Sequence, residues 1–373
     1  MTQRERQILR WIEENPLISQ QELAERAGIT RSSVAVHISN LTKKGHIAGR
    51  GYIVRSASYA VVVGGVNVDI GGISGQPLVA ADSNPGRVRT SLGGVGRNIA
   101  HNLSLLGVDT RLVTAFGDDT YAQWLEASCS ELGIDISRSL HLSGAATSTY
   151  LFLAGPDGDM VLAVSDMEIC EKLTPRFLAS QSALLANAQV VVADTNLPQE
   201  SLLWMAENVK APLFADPVST AKAEKLRPIL GRLHTLKPNR LEAELLSGVA
   251  ITDETSLRRA ADALLATGLR RVFISLGAEG VFAADHNGSV RIPGGPVQVV
   301  NATGCGDAFM AAITWAYLQG TDLAGTARLG MAAASLALES EETINASLSA
   351  EALRERTGKV PQADMQSSLQ VTL

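Results

Sequence analysis

Residues 301–310, Asn-Ala-Thr-Gly-Cys-Gly-Asp-Ala-Phe-Met, set a small-residue turn directly before a carboxylate and then become apolar. That order suits the mouth of a buried helix. Backbone N–H groups at a helix start have no partner within the helix, and glycine leaves them uncovered. The N–H groups of Gly304, Cys305 and Gly306 are therefore candidates to hold the charge of a phosphoryl group in transfer. Asp307, one residue on, is placed to accept the proton of an attacking hydroxyl. An anion cradle beside a base is what phosphoryl transfer to an alcohol requires. An acid in a first helical turn also stabilises the helix dipole without any catalytic role. Cys305 reads as a small inert residue.

Four further clusters carry polar residues where apolar runs end. Asn67 and Asp69 follow the run YAVVVGGV, and Gly93-Gly94-Val95-Gly96-Arg97-Asn98 opens a helix-like stretch. Lys237-Pro238-Asn239 with Glu242 opens another, and Ser275-Leu276-Gly277 with Gly280 follows RVFISLG. Each has a plainer reading. The glycines would serve as turns, Asn239 and Glu242 as a cap and its box partner, and Ser275 as a strand exit. The P-loop signature G-x-x-x-x-G-K-[ST] does not occur.

The elements that must position these residues repeat along the chain. Apolar runs (TRLVTAF, AQVVVAD, APLFAD, RVFISLG) alternate with helical stretches such as PQESLLWMAENV and TSLRRAADALLATG. That alternation predicts βαβ units and a mainly parallel sheet with helices on both faces. Ligands bind such sheets beyond the carboxyl ends of the strands.

The first 57 residues read differently. Ile8, Leu9, Trp11 and Ile12 fall at helical spacing up to Asn15-Pro16. Ser19 with Glu22 makes a capping box for a second helix ended by Gly28. Thr30 caps a third, RSSVAVHISNLTKK, and GHIAGRGYIV follows as two short β-like runs. Helix, helix, helix, hairpin is a winged helix-turn-helix pattern. Its third helix would bring Arg31, Ser32, Ser33, His37 and Asn40 to base edges, and Lys43, Lys44 and Arg50 to phosphates. A three-helix docking module is the alternative.

Charge divides the same way. Residues 1–58 hold nine Lys/Arg against five Asp/Glu, whereas the rest holds 23 against 33, within an overall net charge of −6. The 373 residues are 46% hydrophobic and 19% charged, with three widely spaced cysteines. No apolar run reaches the 18 or so residues that span a bilayer. These features predict a two-domain cytoplasmic protein with no membrane partner.

The body resembles the ribokinase-like carbohydrate kinases, the PfkB family. GGVGRN is similar to that family's N-terminal signature, NATGCGDAF to its D-T-x-G-A-G-D signature and NRLE to its N-x-x-E element. The resemblance implies a ribokinase-like α/β fold with a small β lid over residues 58–360. Residues 1–57 form the helix-turn-helix domain, and 361–373 form a flexible tail. It implies ATP-dependent, Mg²⁺-assisted phosphorylation with Asp307 as base and Gly304, Cys305 and Gly306 as the anion hole. Asn67, Asp69, Gly93, Gly94 and Asn98 would hold the substrate, with Thr149 and Asp166 on the lid. Asn239, Glu242, Ser275, Gly277, Gly280 and Asn345 would line the nucleotide, with Asn239 and Glu242 organising Mg²⁺ mainly through water.

GGVGRNIAHNLSLLG, the stretch 147–150, VSDM and LESEETIN are most similar to bacterial pseudouridine kinases. So is Asn301, where the family pattern has an acid. The implied substrate is a nucleoside, with the 5′-hydroxyl as acceptor; ribose and uridine are alternatives. A homodimer through the lid and a weak K⁺ site at Asn301 are further expectations. The rival class is a DNA-binding regulator that uses a kinase-like body as a ligand sensor.

Overall fold

The computed structural model describes residues 1–47, 58–361 and, as backbone, 364–367. The chain forms two compact units, Met1–Ser58 and Tyr59–Leu373.

In the first unit, α1 (Gln3–Glu14), α2 (Gln20–Ala27) and α3 (Arg31–Lys43) each start on a side-chain cap: Thr2, Ser19 and Thr30. The boxes Thr2/Glu5 and Ser19/Glu22 are both closed. Gly28, at φ 62°, ends α2 in the left-handed conformation that glycine adopts without strain. The helices bury Ile8, Ile12, Ile18, Leu23, Val34 and Leu41 between them. The expected wing, including Arg50, falls largely on residues 48–57, outside the described residues.

The face of α3 differs from the sequence expectation. Arg31 and Ser32 are exposed, but so are Ala35, Val36 and Ser39, whereas His37 and Asn40 are half-buried. Ser33 shares the Thr30 cap, its N–H and hydroxyl both lying on Thr30 Oγ1. Lys44, expected at phosphates, is instead tied down, its Nζ lying 2.9 and 2.7 Å from the two Glu5 oxygens. Lys43 stays exposed.

The second unit contains strands β1 (Tyr59–Val63), β2 (Asn67–Ser74), β3 (Gly86–Gly93), β4 (Asp109–Val113), β5 (Ala115–Phe116), β6 (Leu140–His141), β7 (Thr149–Ala154) and β8 (Met160–Asp166). These are followed by β9 (Val190–Asp194), β10 (Leu213–Asp216), β11 (Thr235–Leu236), β12 (Arg271–Ser275), β13 (Val281–Asp285), β14 (Gly288–Ile292) and β15 (Asp364–Ser367). Nine strands form one sheet in the order β15-β14-β13-β12-β11-β10-β9-β1-β4. From β12 to β4 every pairing is parallel, and the β12–β15 edge is antiparallel. Part of the segment expected as a flexible tail is thus an edge strand, because Asp364–Ser367 pairs with the otherwise open edge of β14.

Helices α4 (Val95–Leu105), α5 (Thr120–Glu131), α6 (Pro175–Ser180), α7 (Ser182–Ala186), α8 (Gln199–Asn208) and α9 (Thr220–Ala223) precede α10 (Arg240–Ser247), α11 (Glu254–Ala266), α12 (Cys305–Leu318), α13 (Leu323–Leu338) and α14 (Ala350–Thr357). The alternation along β1 shows how they are sorted. Val61 and Val63 face a core built with α8, α10 and α11. Ala60 and Val62 face the opposite core, with Ile99 of α4, Phe309 and Ile313 of α12 and Ala332 of α13.

A second sheet, β3-β2-β7-β8, forms the small lid. It exposes Val88, Leu151, Val161, Leu162 and Val164. Among the described residues, no helix is long and apolar enough to cross a membrane.

The Glu5–Lys44 contact gives the first unit a pH signature. Lys44, and then the Thr2 N–H, pull the Glu5 carboxyl from 4.5 to about 2. A depressed folded-state pKa stabilises above the unfolded value and ceases to do so as pH falls through the folded one. Lys44→Ala should therefore weaken hydrogen-exchange protection of the α1 and α3 amides at pH 5–7. The gap to the native chain should close between about pH 4.5 and 2; a gap unchanged across that window would contradict the role given to the pair.

Candidate active site

Three carboxylates meet where strands end and α12 begins. Asp194 and Asp216 close β9 and β10 and are register partners. Asp194 is fully buried and accepts the Gly65 and Asn196 N–H groups, both at 2.8 Å. Burial pushes its pKa up, and these N–H bonds oppose the push. The backbone leaving β1 passes so close that a Cβ on Gly64 would sit 2.3 Å from Asp194 Oδ2. Asp216 accepts the Val218 N–H at 2.9 Å, a turn that puts Val218 at φ 61°, a strained value for a β-branched residue. Lys237, directly after β11, lies with Nζ 3.2 Å from Asp216 Oδ2, and both side chains are buried.

The third carboxylate is Asp307, in the first turn of α12. Gly304 caps that helix at φ 80°, and a Cβ there would strike the Thr343 carbonyl at 2.3 Å. Only glycine fits both demands. Asp307 is buried and accepts a 2.8 Å hydrogen bond from Asn98 Nδ2 on α4. Asn98 is oriented in turn by Arg97, whose guanidinium donates to Asn98 Oδ1 at 3.4 Å and to Ser128 Oγ at 3.0 Å. Burial, followed by the charge of Asp216, raises the Asp307 pKa to about 8, and Asn98 and Lys237 oppose the rise. Deprotonated, this carboxylate is a strong proton acceptor held at one place. Burial raises the Cys305 thiol as well, which fits an inert residue.

The expected substrate residues lie where the lid joins the main sheet. Asn67 donates to Asp69 Oδ1 at 2.7 Å, and burial raises the Asp69 carboxyl. A Cβ on Gly93 would lie 2.3 Å from Asp69 Oδ2. Gly94, at φ 97°, lets α4 start against the Gly65 carbonyl. Thr149 and Asp166 are register partners on the lid, and Thr149 also pairs with Val68.

On the nucleotide side, Asn239 and Glu242 do form the capping box. Glu242 Oε2 accepts the Asn239 N–H at 2.8 Å, and Asn239 Oδ1 accepts the Glu242 N–H at 2.9 Å. Glu242 Oε1 has no hydrogen-bond partner among the described residues, which leaves an oxygen for a hydrated cation. Asn239 bridges Ser275. Gly277 and Gly280 have φ of 60° and 97° in the turn after β12. That left-handed, glycine-lined turn suits close approach of phosphates.

Two expected residues have their amides occupied. Asn345 Nδ2 donates to the Leu336 carbonyl at 2.7 Å, and its Oδ1 accepts from Ser347. Asn301 Nδ2 donates to the Glu341 carbonyl at 3.2 Å, and its Oδ1 accepts the Thr303 N–H at 2.9 Å. Asn345 ties the α13–α14 loop to α13, and Asn301 ties the segment before α12 to that loop. Among the described residues no group of three or more His, Cys, Asp or Glu is arranged to hold a metal.

Sequence reasoning missed Asp194, Asp216 and the charge of Lys237. The signal was present, because the runs AQVVVAD and APLFAD both end on aspartate, but only the parallel register sets those ends side by side.

Comparisons with known proteins agree with this geometry. Residues 57–350 match the pfkB family carbohydrate kinase model, and residues 1–47 match a winged helix-turn-helix DNA-binding model. An uncharacterized sugar kinase of Escherichia coli K12, YeiI, is 40% identical over 94% of this chain and 98% of its own. The pseudouridine kinase of the same organism is 40% identical over 79% of this chain and 95% of its own. A solved putative sugar kinase from Clostridium perfringens superposes with a TM-score of 0.76 at 31% identity, covering 84% of this chain and 100% of that one. An Arabidopsis thaliana ribokinase complexed with ribose and ATP shares the fold, with a TM-score of 0.73 at 22% identity over 81% of this chain and 99% of its own. The chain is a sugar or nucleoside kinase of the pfkB carbohydrate kinase family, with a ribokinase-like fold and an N-terminal winged helix-turn-helix domain.

Proposed function

We propose that the protein transfers the terminal phosphoryl group of ATP to the 5′-hydroxyl of pseudouridine. One observation carries the reading most: a buried Asp307, held by Asn98 at the mouth of a glycine turn, in a chain 40% identical to a pseudouridine kinase over nearly all of that relative. Asp69, fixed by Asn67, holds ribose hydroxyls. Asp307 takes the hydroxyl proton as the oxygen attacks phosphorus, and the N–H groups of Gly304, Cys305 and Gly306 receive the developing charge. Glu242 and Asn239 would hold Mg²⁺ through water, and the ion would supply charge neutralisation on the phosphates. A pure ligand sensor would need no such base.

Pseudouridine and uridine carry the same ribose, so Asn67 and Asp69 cannot separate them. Pseudouridine has an extra ring N–H, and Asp166 on the lid is the acceptor assigned to it. An acceptor left unpaired costs about 1–3 kcal/mol, or roughly 5- to 150-fold in kcat/KM. A steady-state assay of ADP release with both nucleosides and free ribose checks this; equal kcat/KM for the two nucleosides would rule out the assignment.

Asp307→Asn should lower kcat by about 10² to 10⁴, with nucleoside binding retained. In the native protein kcat/KM should rise with pH and level off above about 8, as the free enzyme's Asp307 ionises. Stability should move the other way. A folded pKa of about 8 against 3.8 unfolded means that holding the carboxylate costs nothing below pH 3.8 and progressively more toward pH 8. The thermal midpoint of Asp307→Asn should therefore gain on the native one across that range. A midpoint difference independent of pH would remove the basis for this carboxyl's raised pKa.

The exposed apolar strands of the lid are the surface we assign to a homodimer, and Arg31, Ser32, Val36, Ser39 and Lys43 on α3 the surface for duplex DNA. Full-length protein should sediment as a dimer. It should also bind DNA with an affinity that falls steeply with salt, and Lys43→Ala should lessen that slope. A monomer, or binding that ignores salt, would refute the corresponding surface.

A further inference from the structure

Lys237 is a buried ammonium set against the turn that leads into Asp307. Its exposure is 6%, and its Nζ makes one ion-pair contact among the described residues, with Asp216 at 3.2 Å. That contact is also a hydrogen bond, and the charges of Asp216, Glu242 and Asp307 favour the ammonium against its burial; an ammonium has three N–H groups to place, and Asp216 takes one. Burying such a group with spare donors is costly unless an anion completes it. The direction of the spare donors is set by the fold. A Cβ built on Gly306 would stand 3.4 Å from Lys237 Nζ, so the ammonium lies directly against the middle of the turn before Asp307. Lys237 is fixed there by its backbone: it follows β11, and its N–H donates to the Ala215 carbonyl of β10 at 3.3 Å.

We infer that Lys237 is a phosphoryl-binding catalytic residue, its ammonium held by Asp216 beneath Gly306 to take a non-bridging oxygen of the group in transfer. The inference rests on the kinase reading above. In the step it serves, the acceptor oxygen bonds to the terminal phosphorus while the bond to the ADP oxygen breaks. The hydroxyl proton goes to Asp307. Lys237 exchanges no proton and only balances charge on the phosphoryl oxygens. Its cation favours the ionised Asp307 too, while Asp216, then Asp194, oppose ionisation; Asn98, oriented by Arg97, faces the carboxylate from α4. A Cβ at 306 would touch the ammonium at 3.4 Å, so glycine there leaves the space above Lys237 open as well as the N–H.

The test uses the full-length protein and ADP with and without aluminium fluoride, a mimic of the phosphoryl group in flight, at fixed Mg²⁺. The native protein should bind ADP with the fluoride far more tightly than ADP alone. Lys237→Met should lose that increment by a factor on the order of 10² while ADP alone binds within about twofold of native. Its kcat should fall by a similar factor with nucleoside KM nearly unchanged. Lys237→Arg should recover part of both. Where Lys237→Met does not fold, the uncharged Lys237→Gln carries the same comparison. A variant that keeps the fluoride increment, or one in which ADP affinity and the increment fall in parallel, would overturn the assignment and leave the kinase reading intact. A native protein that neither binds ADP nor turns over would overturn both.

Discussion

The arrangement hinges on placing three carboxylates and one ammonium in a space largely closed to water. Asp194, Asp216 and Asp307 are buried within reach of each other's charge, and Lys237 is the cation among them. Each buried ion costs several kcal/mol before compensation. Compensation here is unequal. Asp194 has two backbone N–H donors, Asp216 has one and the ammonium, and Asp307 has a single amide. Burial drives both Asp194 and Asp307 toward their neutral forms, and Asp307 has the fewer donors to oppose it. The residue proposed to take a proton during catalysis is thus one whose ionisation the resting site resists.

Glycine makes this crowding possible. Gly64 leaves room for Asp194, Gly93 for Asp69 and Gly304 for the Thr343 carbonyl. The sheet contributes its parallel register, which collects residues from β1, β9, β10 and β11 at one edge. The hydrophobic cores on its two faces keep that edge rigid. The functional groups thus sit on strand ends and helix starts, where little conformational entropy remains to be lost on binding.

Local chemistry was legible in the sequence to the extent that it is local. The Ser19/Glu22 and Asn239/Glu242 boxes and the Gly28 stop each depend on residues within four positions, and each forms as read. The alternation of apolar runs with helical stretches gave the sheet and its helices, because period and length carry that signal. Asp194, Asp216 and the charge of Lys237 are not legible locally, because their partners lie 20 or more residues away and only strand order joins them. Lys44 misled for a related reason. A lysine at the end of a recognition helix reads as a phosphate contact until α1 brings Glu5 across from 39 residues away. On α3, Val34, Ile38 and Leu41 pack inward, but the sequence does not tell which flank α1 and α2 cover, and this flank decides that Val36 and Ser39 are exposed while His37 is half-buried.

Asn301 shows how one departure from a family pattern changes local logic. Its amide does two things at once: Nδ2 donates to the Glu341 carbonyl, and Oδ1 accepts the Thr303 N–H. An aspartate could do only the second. In place of the donor it would set a charged oxygen against a carbonyl oxygen, a repulsion that a bound cation between them would relieve. The amide meets the same requirement with an N–H that donates to that carbonyl. It also adds no fourth negative charge on the stretch that leads into Asp307, where two carboxylates already oppose ionisation of the base. Neutrality at 301 and the cation at 237 thus act in the same direction, and both ease the ionisation of Asp307 on which its proposed role as base depends.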